Sequence, residues 1–161
     1  MKQKECAVVP LPKIMLSAAD YPRLEQIARL AAQKGDLDAI FLTGEINRAE
    51  IVPDACDDDL SSVVTMGSWV TYCTNWGVPR RTVQLVWPEA CWNADSISVL
   101  TPLGAALIGL RVGDQMPYFV AGCLNVVRVQ SITQSRSNVV PFSRRHRQSK
   151  PFDDDPGPTA A

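Results

Sequence analysis

Histidine is nearly absent: the 161 residues contain one, His146, and it lies in a polar tail. Catalytic triads and His-rich metal sites need imidazoles inside a folded core, so much hydrolytic and metal chemistry is excluded. Paired cysteines are missing as well. Cys6, Cys56, Cys73, Cys91 and Cys123 are odd in number and scattered, with no C-x-x-C. Neither a zinc site nor a redox dithiol is indicated, and reduced thiols acting as small hydrophobes are expected. No hydrophobic run is long. The uncharged stretch from Ser96 to Leu110 is shorter than the about twenty residues of a membrane-spanning helix, and Pro102, Gly104 and Gly109 interrupt it. An excess of either charge is lacking too. A net charge of −1, from 16 basic and 17 acidic residues, gives no global attraction to nucleic acid or anionic lipid. The start, "MKQKECAVVPLPKIML", carries Lys2 and Lys4, but Glu5, Pro10, Pro12 and Lys13 break the apolar core that an export signal needs. A cytoplasmic protein is expected.

What is present is enough hydrophobic residue, 46%, for a buried core. Residues 1–16 are punctuated by proline and read as a flexible N-terminus. Ser17-Ala18-Ala19-Asp20 then has capping-box spacing, with Asp in place of Glu. Leu24, Ile27, Ala28 and Ala31 follow at helical spacing as one apolar stripe. Lys34-Gly35 closes this helix, and Asp36 caps a second that runs from Leu37 to about Glu50. Two amphipathic helices with so short a link predict an antiparallel hairpin over 17–51, each arm about 20–25 Å long. Residues 52–62, "VPDACDDDLSS", read as an acidic linker; the glycine and terminal Glu of a calcium loop are missing.

From Val63 the texture changes to β-branched residues at period two. Val63–Tyr72 predicts one strand with a bulge at Gly67, Thr82–Trp87 a second ended by Pro88, and Ile97–Leu100 a third. Tyr118–Val120, a turn at Ala121-Gly122, and Leu124–Ile132 predict a terminal hairpin. The uncharged stretch holds a short helix between strands: Thr101 is its N-cap, Pro102 its first residue, and Gly109 its left-handed terminator. A phosphate loop is excluded, because Leu110 and Arg111 stand where Lys and Ser/Thr must follow the second glycine. The result is an α+β domain over 63–132 with about five strands around one short helix. Residues 133–161 cannot bury enough surface to order themselves and read as a disordered, dispensable tail.

Candidate chemistry is sparse. Asp36 and Asp38 sit at the hairpin bend, where two carboxylates could share a hard cation; the favoured reading is that both stabilise the second helix electrostatically. Trp69, Trp76, Trp87 and Trp92 fall in or beside strands, as packing residues or as the lining of a pocket or partner surface. Arg144, Arg145, Arg147 and Lys150 form a basic cluster in the tail, suited to weak nonspecific phosphate contact but balanced by Asp153-Asp154-Asp155. No catalytic residue and no cofactor site emerges.

The order of elements, with "VVTMGSWVTY", "LVWPEA" and "SVLTPLGAALIGLRVGD", resembles the Gre-factor family of bacterial transcription elongation factors. Within that family it is most similar to the short-armed Rnk-type branch, regulators of nucleoside diphosphate kinase. Val64–Ser68, Ser98–Gly109 and Val112–Asp114 carry the resemblance, which spans roughly Ser17 to Ile132. It implies an FKBP-like fold for the C-terminal domain, a curved antiparallel sheet with the short helix packed on it. It also implies docking on RNA polymerase at the rim of the secondary channel, through Ser98 and the corner Leu100, Thr101, Pro102 and Leu103. Thr101 replaces the family's usual Ser and keeps the capping hydroxyl, while Leu100 replaces a polar residue. Long-armed members carry acidic tip residues to a catalytic magnesium; Asp36 and Asp38 on this short arm are expected to stop short of it. The expected function is a non-enzymatic, polymerase-binding regulator of elongation that does not stimulate transcript cleavage. The alternatives are a peptidyl-prolyl isomerase on the same fold, or a DNA-binding adaptor acting through the basic tail.

Overall fold

Two amphipathic helices, α1 (Tyr21–Gln33) and α2 (Leu37–Arg48), form the expected antiparallel hairpin. The computed structural model describes residues 10–53, 57–75 and 79–135, without the side chains of Asp57 and Asp58. Leu24 and Ala28 of α1 and Ala39, Leu42 and Ile46 of α2 are buried, the inner stripe that the spacing predicts. Gly35, at φ +84°, makes the tight link, and Asp36 Oδ1 accepts from the backbone N–H of Asp38 at 3.0 Å and of Ala39 at 3.4 Å. The first boundary differs from expectation. The Ser17 hydroxyl accepts from Ala19 N–H at 3.1 Å, and the helix itself starts at Tyr21.

The second boundary differs for a tertiary reason. Helix α2 stops at Arg48 because Glu50–Val52 is a strand, β2, paired in parallel with β1 (Met15–Ser17). Ile14 and Leu16 are buried in the main core, so the reading of 1–16 as flexible fails from Ile14 onward. Met15 N–H donates to Gly109 O at 3.1 Å, and Gly109, at φ +77°, lies so close that a Cβ there would press on Ile14. Three apolar residues between prolines and a helix are too short a run to show a period. The acidic connector is likewise not all linker: it contains a single helical turn, α3 (Asp57–Leu60), whose Leu60 is buried with Met15, Val52 and Val63.

Five strands build the main sheet in the order β5-β4-β3-β7-β6, where β3 is Trp69–Thr74, β4 Arg81–Val86, β5 Ser96–Ser98, β6 Gln115–Val120 and β7 Cys123–Thr133. The sheet is mixed, against the expected antiparallel one. Strand β5 runs parallel to β4, because the 3₁₀ turn Pro88–Ala90 and the residues after it carry the chain back before it re-enters the sheet. Strand β3 begins later than predicted. Val63 forms an isolated bridge with Arg111, and Gly67 (φ +83°) makes a turn in which Ser68 N–H donates to Thr65 O at 3.2 Å. The sheet's irregularity falls instead between Thr71 and Tyr72, against β7. The terminal hairpin is as predicted: Ala121 and Gly122 both have positive φ, 49° and 77°, the demand of a two-residue primed turn.

Helix α4 (Pro102–Leu107) joins the two regions. Ala105, Ala106, Leu107 and Ile108 share one cluster with Leu24, Ala28, Leu42 and Ile46 of the hairpin and with Val70, Leu85, Met116, Tyr118 and Val127 of the sheet. The hairpin is therefore seated on the α/β region. Arg48 adds a polar anchor: its Nε donates to Glu45 Oε2 at 2.8 Å and its Nη1 to Pro12 O at 2.6 Å. Glu45 is buried, and a buried carboxylate needs such a partner.

Candidate functional site

The strand-to-helix corner after β5 is built around one residue, Ser98. Its carbonyl accepts from Thr101 N–H at 3.0 Å and from the Thr101 hydroxyl at 2.7 Å, while its own hydroxyl accepts from Leu100 N–H at 3.2 Å. Thr101 Oγ1 in turn accepts from Gly104 N–H at 3.1 Å, the predicted N-cap, with Pro102 opening the helix. One hydroxyl thus donates backwards to the strand and accepts forwards from the helix. Gly104 completes the corner, although its type alone did not mark it as important. A Cβ there would stand 2.8 Å from Ser98 C and overlap Ser98 O, so only glycine lets α4 lie this close to β5. A glycine in a helix is unfavourable by about 1 kcal/mol relative to alanine, and that cost was the available signal. Leu100 and Leu103 are half-buried and pack against the main core; the corner offers only part of each leucine to a partner.

Beside the corner stands a group that sequence spacing did not reveal. Val86 is the register partner of Ser98, and Val99 N–H donates to Val86 O at 3.1 Å. The next residue, Trp87, is half-buried, and the Arg23 guanidinium of α1 lies over its ring, 4.2 Å from the centroid. Arg23 is also ion-paired with Glu89. Residues more than sixty positions apart meet here, which no local pattern announces.

The hairpin tip holds the other predicted residues. Asp36 acts as N-cap, and Asp38 lies in the first turn of α2. Partial burial, and secondarily the neighbouring Asp36, push the Asp38 carboxyl above its usual range. Among the described residues, no group of three or more His, Cys, Asp or Glu side chains converges as a metal site would require. Two exposed side chains nearby are apolar, Leu37 at 77% and Ile40 at 53%, beside the exposed Gln33 and Lys34. A cavity of about 360 Å³ between α1 and α2 is lined by Ala28, Ala32 and Ile46, with Glu25, Arg29 and Asn47 among its polar residues, and none of the described residues lining it is aromatic.

The remaining candidates separate. Trp69 is half-buried, Trp92 is 86% exposed, and Trp76 lies outside the described residues. Cys73 is buried, and Cys91 and Cys123 are exposed thiols. Arg144, Arg145, Arg147 and Lys150 also lie outside the described residues. Gln134, expected to begin a loose tail, is instead bonded into the domain. Its amide donates to Leu60 O (3.1 Å) and Val63 O (2.8 Å), and its carbonyl accepts from the hydroxyls of Thr65 (2.9 Å) and Ser68 (2.8 Å). No helix among the described residues is long and apolar enough to cross a membrane.

A helical hairpin seated on a mixed sheet, with a Thr-Pro corner leading into a short helix, defines a class. Residues 59–134 match the model of the C-terminal domain of the transcription elongation factors GreA/GreB, and residues 12–52 match that of the Rnk N-terminus. The regulators of nucleoside diphosphate kinase of Escherichia coli K12 and Shigella flexneri are each 33% identical over 125 residues, covering 74% of this chain and 90% of theirs. The GreA/GreB-type elongation factor of Nitrosomonas europaea, a solved structure, superposes with a TM-score of 0.60 at 32% identity, over 75% of this chain and 99% of that one. The chain belongs to the Rnk-type branch of the GreA/GreB family.

Proposed function

We propose that this chain is a cytoplasmic regulator of transcription elongation that binds RNA polymerase at the rim of its secondary channel and does not stimulate transcript cleavage. Ser98, Leu100, Thr101, Pro102 and Leu103 form the docking corner, with Ser98 and Thr101 holding the turn and Pro102 and the exposed parts of the two leucines making contact. The observation that carries the second half of the reading is the arm. Helices of 13 and 12 residues rise only about 20 Å at 1.5 Å per residue, and α2 is packed against α4 at the base of the arm. Asp36 Oδ1 already accepts from two backbone N–H groups. Magnesium needs its oxygen ligands within about 2.1 Å, so an arm one helical turn too short cannot supply them.

The test has two arms on the same preparation. Core RNA polymerase should retain the protein in a pull-down, and the protein should compete with a long-armed Gre factor. Stalled, backtracked complexes should show no added transcript cleavage in its presence. Robust cleavage, abolished by Asp36→Asn or Asp38→Asn, would overturn the reading of the arm; absence of binding would overturn the reading of the corner.

A further inference from the structure

The corner does not end at Leu103. The pairing of Val86 with Ser98 places Trp87 and Glu89 beside it, and Arg23 reaches across from α1 to cover Trp87 and pair with Glu89. Tyr21, Trp87, Leu100 and Leu103 are all half-buried against the same core, so the corner and the base of the hairpin each keep partly exposed apolar side chains over that core. Arg23 and Glu89 remain about half exposed, at 51% and 58% of their side-chain surface. A guanidinium held over an indole and ion-paired loses little further freedom when a partner arrives. Partly wet tryptophan and arginine are also the side chains most enriched among residues that dominate protein–protein binding.

We propose that Arg23, Trp87 and Glu89 are part of the polymerase-docking surface, so that the base of the hairpin is a wall of that surface. This rests on the corner reading above and extends it to a second region of the chain. The partner chemistry it fits is a protein surface with an apolar ridge for Pro102, Leu103 and the Trp87 edge, flanked by an acidic group facing Arg23. The hairpin then contributes by its base, whatever its tip reaches.

The alternative role for Arg23 is purely internal, a strap between α1 and the sheet. A charge exchange separates the two, because it restores the internal pair while reversing what a partner meets. Full-length wild type, Arg23→Glu, the Arg23→Glu/Glu89→Arg pair and Pro102→Asn are titrated against core RNA polymerase, with a melting curve for each free protein. The expected result is that Arg23→Glu lowers both melting temperature and affinity, the latter about tenfold or more. The exchanged pair recovers the part of the melting temperature that the ion pair supplies, though not the part due to the cation over Trp87, and leaves the affinity low. Recovery of both by the exchange would overturn the proposal, as would wild-type affinity in Arg23→Glu. If the wild type binds and Pro102→Asn weakens it while Arg23→Glu does not, the corner stands and this extension falls. If the wild type does not bind, or Pro102→Asn binds as well as it does, the corner reading falls, and the extension with it.

Discussion

Ending the chain at Ile132 instead of Ser135 should destabilise the fold, chiefly through Gln134; Thr133, which ends β7 opposite Trp69, and the 3.4 Å contact from Gln84 Nε2 to Ser135 Oγ are lost with it. The deleted Gln134 makes four hydrogen bonds, two donated to Leu60 and Val63 carbonyls and two accepted from Thr65 and Ser68 hydroxyls. A net intramolecular hydrogen bond contributes about 0.5–1.5 kcal/mol, so together they are worth about 2–6 kcal/mol at face value. Several partners are only partly stranded by the loss. Ser68 Oγ still accepts from Thr65 N–H at 3.1 Å and meets Thr65 Oγ1 at 2.9 Å, and Leu60 O still accepts from Val63 N–H at 3.1 Å. Gln134 is half-buried, so water can enter part of its place. The low end of the range, about 2–3 kcal/mol, is therefore expected. For a domain of this size that corresponds to roughly 4–12 °C in melting temperature. Urea unfolding of chains ending at Ile132, at Ser135 and at Ala161 should give a lower midpoint for the first alone, with similar slopes. Equal midpoints for Ile132 and Ser135 would refute the anchor and restore the tail as dispensable from residue 133. A similar loss in Gln134→Ala within the full chain would assign the effect to the side chain rather than to chain length.

Gly104→Ala should cost about 1–3 kcal/mol by forcing α4 away from Ser98 O; unchanged stability by urea unfolding would show that the corner tolerates the Cβ. Thr101→Val removes the hydroxyl that bridges Ser98 O and Gly104 N–H, and should lose about 1–2 kcal/mol, with Thr101→Ser recovering most of it. Asp36→Ala should lose about 1 kcal/mol of cap stabilisation. Asp38 behaves oppositely: its folded-state pKa is raised, so its protonation favours the fold, and that contribution is lost as pH rises through the folded value. Asp38→Asn should then narrow the stability difference between acid and neutral pH, which a urea series at several pH values checks. Burial also raises the Tyr72 and Tyr118 hydroxyls, with Arg81 partly opposing it at Tyr72 and Tyr72 itself adding to it at Tyr118. Stability should decline as pH climbs past the ordinary tyrosine range near about 10. An absorbance titration that ionises both rings without unfolding would contradict this.

Local chemistry was legible in the sequence wherever it acts over a few residues. Thr101, Pro102 and Gly109 announced both ends of α4 because capping, a preset φ and a left-handed terminator are properties of single residues in a short window. Ala121-Gly122 announced its hairpin, and Gly35-Asp36 the bend between helices, for the same reason. The corner motif carried the family resemblance together with Val64–Ser68 and Val112–Asp114. What the tertiary structure decided were the contacts between segments distant in the chain. Met15–Ser17 became a strand only because Glu50–Val52 returned beside it, and that pairing also ended α2. The direction of β5 depended on a return path through Pro88–Asp95 that has no periodic signature. Arg23 met Trp87 and Glu89, and Gln134 met Thr65 and Ser68, across gaps that local spacing cannot encode. Propensity and capping energies belong to neighbours along the chain, whereas burial and long-range pairing are settled only when the whole core closes.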